Sequence, residues 1–262
     1  DYDALQYLFE HTRVVENYDE YGTYLARIGD DGLSLPYTSW VPMHLLMKDY
    51  IGYNQFYYEL YDHLPQLEQV AAAVTEVHLD IVRVGAGSPA HVIEVGGNYD
   101  QAMTPPPIFR KYFLPFYQQA VPILHSAGKI VALHGDGDMG TELLKLLRET
   151  GVDVVEALTP QPMTTIDIRQ ARKLWGNEVT LWGGLPAILM TNTYTDVQVE
   201  AFLEDLFAAV APGGRFILGF GDNVPTDGLF SRILQVTEFY HRHSRYPIGE
   251  SQAATTHREQ DG

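Results

Sequence analysis

The sequence has no cysteine. That single absence removes a disulfide framework, a thiolate nucleophile and any Cys-ligated zinc. Basic residues are also scarce, 17 Lys and Arg against 34 Asp and Glu, so the formal charge is −17. A surface this acidic repels phosphate backbones and anionic membranes, which excludes nucleic acid as a partner. Nor is there an apolar run near the roughly 20 residues of a membrane span, or a secretory leader at the start. The expectation is a soluble, cytoplasmic protein. Because the chain opens at Asp1, already in a helical pattern to Asn17, a further N-terminal portion is expected.

What is present is a rhythm. From Ile93 onward, five short apolar runs each end in a polar, Gly-rich turn and give way to a helical pattern. The spacing predicts strands at His91–Val95, Ile130–His134, Val154–Leu158, Val179–Trp182 and Arg215–Phe220. Helices are predicted at Pro107–Ala127, Gly140–Thr150, Ile166–Trp175, Val197–Val210 and Leu229–His243. Upstream, Tyr24–Ile28 and Leu33–Trp40 read as strands around the turn-forming Gly29-Asp30-Asp31-Gly32. Met43–Tyr50, Asn54–Leu64 and Pro65 to Val84 read as helices. Alternating strands and helices imply a parallel sheet, and five units in series with room for more fit a (β/α)8 TIM barrel. The expected organisation is one barrel domain over residues 1–248, with helices in 1–88 and regular β/α units in 89–248. A polar, aperiodic tail follows over 249–262.

In parallel β/α folds the site lies beyond the carboxyl ends of the strands. Those ends carry Glu94 with Asn98, Tyr99 and Asp100, then His134, Asp136 and Asp138. After them come Glu156, Thr159 and Gln161, then Trp182, and finally Asp222 and Asn223. Carboxylates with an imidazole suit a divalent metal, and a catalytic zinc site needs only three protein ligands. The candidate ligands are Glu94, His134, Asp136 and Glu156. The same groups serve metal-free acid/base work equally well, since crowded carboxylates raise one another's pKa. Catalytic roles then fall to His134, Asp136, Asp100 and Asn98, and substrate contacts to Tyr99, Gln161, Trp182, Asp222 and Asn223. Asp138 reads as the cap of the helix near Gly140. The Tyr-rich stretch Tyr50–Tyr61 reads as a helix packing surface first, with a hydrophobic lid or a dimer face as the alternatives.

The run Met103-Thr104-Pro105-Pro106-Pro107-Ile108-Phe109-Arg110-Lys111-Tyr112-Phe113-Leu114-Pro115-Phe116 is similar to a helix entry of the uroporphyrinogen decarboxylase superfamily. His125-Ser126-Ala127-Gly128, His134-Gly135-Asp136-Gly137, Leu181–Pro186 and Leu218–Pro225 resemble later motifs of that family, in the family's order. The resemblance covers residues 90–245 and implies a TIM barrel with one of two chemistries. One is cofactor-free decarboxylation of a tetrapyrrole's acetate arms. The other is zinc-assisted methyl transfer between a corrinoid and an acceptor such as a thiol, which implies a corrinoid protein as partner, and a homodimer is also implied.

Relatives that transfer methyl groups carry His-x-Cys and a distant second Cys as zinc ligands. Here His134 matches the first position, but Asp136 stands at the first Cys, and the neighbourhood of Phe220 lacks the second. The decarboxylases' basic N-terminal segment and Phe-Ser-Asp aspartate do not appear either; the nearest counterpart of the latter is the Asn98–Asp100 loop. The sequence therefore ranks metal-assisted methyl transfer on a small-molecule substrate first, decarboxylation second and a non-catalytic binding subunit third.

Overall fold

A computed structural model describes residues 1–221, 223–243, 245 and 248. The chain divides into two compact units, Asp1–Glu156 and Ala157–Gly262. Among the described residues no helix is long and apolar enough to cross a membrane. The tail expected over 249–262 lies outside the described residues.

The first unit opens with helices. α1 (Tyr2–Glu10) starts at Asp1, whose carboxylate accepts the N–H of Ala4, and stops well short of Asn17. α2 (Tyr18–Ile28) overturns the strand expected at Tyr24–Ile28. Asp19 and Glu20 lie in its first turn, Arg27 in its last, and Gly29 closes it at φ +53, so the glycine is a helix stop and not half of a hairpin turn. Residues 32–40 are irregular except for one bridge, Tyr37 to Glu94. α3 (Pro42–Leu45) runs into a π turn at Leu46–Ile51, and α4 (Tyr53–Asp62) and α5 (Leu64–Gly87) follow. α5 buries Leu67, Val70, Val74 and Val77, spaced three and four apart as one helix face requires.

The regular alternation then begins with β1 (Val92–Gly97), followed by α6 (Pro106–Ile108), a π turn at Phe109–Phe113 and α7 (Leu114–Ser126). β2 (Ile130–His134), α8 (Gly140–Glu149) and β3 (Val154–Leu158) complete it, and β3 carries the chain into the second unit. There α9 (Ile168–Trp175) precedes β4 (Thr180–Pro186). α10 (Asp196–Val210) opens on a Thr195/Gln198 capping box and leads to β5 (Phe216–Gly221) and α11 (Phe230–His243). The strands stand in sequence order, β1-β2-β3-β4-β5. The pairs β1/β2, β2/β3 and β4/β5 are parallel.

Two details of β1 position the site. Its register against β2 slips between Glu94 and Gly97, so Val95 and Gly96 stand where β2 has only Leu133. Gly96 makes the slip with φ +68; a Cβ there would strike the hydroxyls of Tyr117 and Tyr99 and a methyl of Val41. Behind β1, Tyr99, Phe109, Phe113 and Tyr117 form a fully buried aromatic cluster with His44 at its edge. The Tyr99 and Tyr117 hydroxyls are 2.5 Å apart, and Tyr117 donates to the carbonyl of Val95 at 3.0 Å.

Tyr117→Phe would leave both Tyr99 Oη and the Val95 carbonyl without that partner. It is expected to lower stability by about 1–3 kcal/mol, the desolvation cost of an unsatisfied buried polar group. Tyr99→Phe, which spares the bond to Val95, should cost less. Urea unfolding of the two variants decides the order.

Candidate active site

The site grows out of strand register. Side chains opposite one another in neighbouring parallel strands project to the same face, and along one strand that face recurs every second residue. Glu94 pairs with Ala132, and His134, two residues on, pairs with Glu156. One face of the first unit's sheet thus carries Glu94, His134 and Glu156 together. Each offers a ligand atom, and those atoms all lie within 4.8 Å of one another. His134 Nδ1 is 2.6 Å from Glu156 Oε2 and 4.0 Å from Glu94 Oε1.

Burial sets the electrostatics. Side-chain exposures are 13% for Glu94, 26% for His134 and 20% for Glu156, dry enough to penalise charge and open enough to admit a small ligand. Desolvation pushes the Glu94 carboxyl up to about 7; the His134 charge opposes the rise and Glu156 adds to it. Burial by itself would lower the His134 imidazole. The hydrogen bond to Glu156 and the charges of Glu156, Glu94 and Asp136 outweigh it, and the net direction is up. Near neutral pH the cluster therefore stores protons. Glu94 Oε1 is buried and has no hydrogen-bond partner, the kind of atom that an ion or a ligand would satisfy.

The remaining expected residues fall elsewhere. Asp136 acts on His134 through its charge but is not one of the three clustered groups. Beyond His134 the chain turns off the strand. Gly135 N–H bonds the Glu156 carbonyl at 2.6 Å, and Gly137, at φ +110, packs so closely on the Tyr99 carbonyl that a Cβ would come within 2.7 Å of it. Asp100, expected to be catalytic, braces the loop with both carboxylate oxygens. One carboxylate oxygen accepts Ala102 N–H at 2.7 Å and the other Asp138 N–H at 3.2 Å. α8 begins after Met139, whose own side chain makes no cap bond.

Tyr99, expected to touch substrate, is a core residue at 0% exposure. Asn98 is exposed at φ +54, with its N–H on the His134 carbonyl at 3.1 Å. In the second unit, Trp182 is half-buried on β4, with its indole beside Gly219. Gln161 is exposed and lines a cavity of about 370 Å³ with Pro160, Ile168 and Phe202. Asn223 is exposed, and Asp222 lies outside the described residues.

One neighbour escaped the sequence reading. Tyr37 bridges Glu94 in parallel register, with Glu94 N–H on Pro36 O at 2.9 Å and Thr38 N–H on Glu94 O at 3.0 Å. Burial and the charges of Glu94 and Asp49 raise its phenol pKa, so it remains a protonated donor. The only available signal was its place in the apolar run Leu33–Trp40.

A sequence profile of the uroporphyrinogen decarboxylase (URO-D) family matches residues 42–243, which include all three clustered groups. The chain belongs to the uroporphyrinogen decarboxylase family. Its fold is accordingly α/β of the TIM-barrel class, and the described residues supply five of the strands. Among solved structures, a methyltransferase from Methanosarcina mazei is similar with a TM-score of 0.62 at 14% identity, over 91% of this chain and 64% of that one. This member of the uroporphyrinogen decarboxylase family thus spans under two thirds of the methyltransferase's length, and at that identity the likeness speaks for the fold. No curated protein sequence matches the chain.

Proposed function

We propose that the chain is a methyltransferase-type enzyme in which Glu94, His134 and Glu156 hold a divalent cation, zinc being the first candidate. The observation that carries this reading is the convergence of three oxygen and nitrogen donors within 4.8 Å around a buried Glu94 oxygen that lacks a partner. In a chain without cysteine, this set stands in for the thiolate ligands of zinc-dependent relatives. Bound there, the ion would serve as a Lewis acid that binds and activates the methyl acceptor. Glu156 keeps the imidazole oriented through Nδ1. Glu94 would hold the cation as a carboxylate, because a metal ligand must be deprotonated. The substrate is a small methylated molecule, with a corrinoid, carried on a partner protein, as methyl donor or acceptor.

Metal analysis of protein purified without chelator tests the reading. Wild type is expected to retain about one equivalent of divalent metal. His134→Ala should bind it at least ~100-fold more weakly, beyond the 10- to 100-fold typical of losing an outer-shell partner. Metal-free wild type, or unchanged content in the variant, would sink it.

A second reading has its own support. With its pKa near 7, Glu94 is a proton donor at neutral pH, which suits protonation of the carbanion left by a cofactor-free decarboxylation. That chemistry survives EDTA and is lost in Glu94→Gln, whereas metal-assisted transfer is lost with EDTA.

A further inference from the structure

We propose that Tyr37 is a ligand-orienting residue of this site, its phenol donating a hydrogen bond to a small oxygen-bearing anion held by the metal. The inference rests on the metal reading above and adds to it the group that selects what binds at the open coordination position.

Three observations carry it. The parallel bridge sets Tyr37 directly beside Glu94, and register partners share a face. The opposite orientation is already taken by the next residue. A Cβ built on Gly85 of α5 would lie 3.6 Å from Thr38 Cγ2 and 3.8 Å from Ile93 Cγ2, so Thr38 points to the helix side and Tyr37 away from it. Finally, the Tyr37 hydroxyl makes no hydrogen bond among the described residues, and the side chain is 45% exposed. Its ring is braced edge-on by Trp40 at 6.0 Å, and Lys48 Nζ lies 4.3 Å from the centre of the Trp40 ring. A braced phenol with a spare donor, next to carboxylates that repel anions, supplies what an anionic ligand of the metal would otherwise lack.

The test uses the chain loaded with cobalt(II), whose visible spectrum reports ligand exchange, titrated with acetate. Tyr37→Phe is expected to bind cobalt within twofold of wild type and acetate roughly tenfold more weakly, the loss of one hydrogen bond to a charged group. Thr38→Val, on the other face, should leave acetate affinity unchanged. Because Tyr37→Phe keeps the ring, its thermal midpoint without metal should match wild type, which separates lost donation from lost folding. Acetate affinity equal to wild type in Tyr37→Phe, an equal loss in Thr38→Val, or acetate that leaves the wild-type spectrum unmoved would each overturn the assignment. If wild type takes up no cobalt, the metal reading fails and this inference falls with it. Should cobalt bind while Tyr37→Phe behaves as wild type, only the role of Tyr37 fails.

Discussion

Gly183→Ala is expected to destabilise the chain by about 4 kcal/mol, a large share of the 5–15 kcal/mol that holds a typical domain folded. Gly183 sits in β4 at φ +139, and a Cβ there would meet the Leu158 carbonyl oxygen at 2.5 Å and the Leu158 nitrogen at 2.7 Å. Both are backbone atoms of β3, so no side chain can swing aside. The strand itself must shift, at roughly 1–3 kcal/mol for overpacking and a similar amount for the disfavoured φ. Gly128 is the control. It too has positive φ, +72, and closes α7 with its N–H on the His125 carbonyl and that of Lys129 on Leu124, but nothing lies within 4 Å of its Cβ position, so Gly128→Ala should cost only about 1 kcal/mol. Urea midpoints read the difference, and equal losses at the two positions would show that close approach of the strands is not the cause.

Stability and metal affinity should respond to pH in opposite directions. The Glu94 carboxyl lies near 4.5 in the unfolded chain and about 7 in the folded one, so folding favours its proton. That contribution is present in full below 4.5, declines between 4.5 and 7 as the unfolded chain gives up its proton first, and is gone above the folded value. The two and a half units correspond to on the order of 3 kcal/mol. His134 is also raised, so its contribution is present below 6.5 and is likewise lost as pH rises through its folded value. Metal-free protein should therefore have a higher urea midpoint at pH 5 than at pH 8, and Glu94→Gln should flatten the slope.

A bound cation competes with those same protons, so affinity must rise with pH. Between pH 6 and 8 the gain should be roughly 10- to 100-fold, one factor of ten for each proton displaced over a unit of pH below its pKa. Zinc titrations at fixed ionic strength measure it. Affinity that is flat across this window would mean that Glu94 and His134 do not bind the ion.

The regular half of the fold was legible because its strands are short apolar runs bounded by turns. β2 and β3 have the residue limits that Ile130–His134 and Val154–Leu158 suggested. Upstream the patterns are weaker. α2 carries Tyr18, Tyr21, Leu25 and Ile28 at helical spacing but buries none of them fully, and over Tyr24–Ile28 its aromatic and β-branched side chains imitate a strand. Within the site, alternation leaves two faces open to a mid-strand glutamate, and only the pairing of one strand with the next decides between them. Glu94 and Glu156 were therefore candidates, but their meeting at His134 was not readable. Tyr99 was misjudged, and Asp100 shows the ambiguity behind the error. Polarity at a strand end is needed by the loop as well as by the chemistry, and here the Asp100 carboxylate serves loop N–H groups while Tyr99 completes the aromatic cluster. Tyr37 was missed because it enters through a single bridge from a segment without regular structure.

The extra residue in β1 also bears on how relatives should be compared. Counting from Glu94 along an unbroken strand makes Gly96 the neighbour of His134, but the neighbour is Gly97. Aligning β1 and β2 residue for residue across the family would therefore misplace every position after Glu94 by one. Where a relative lacks a glycine able to take the turn at position 96, the gap belongs between the glutamate and the loop. In such a relative the glutamate would keep its phase to the histidine, and the residues after it, those of the Asn98–Asp100 loop, would shift by one position against β2.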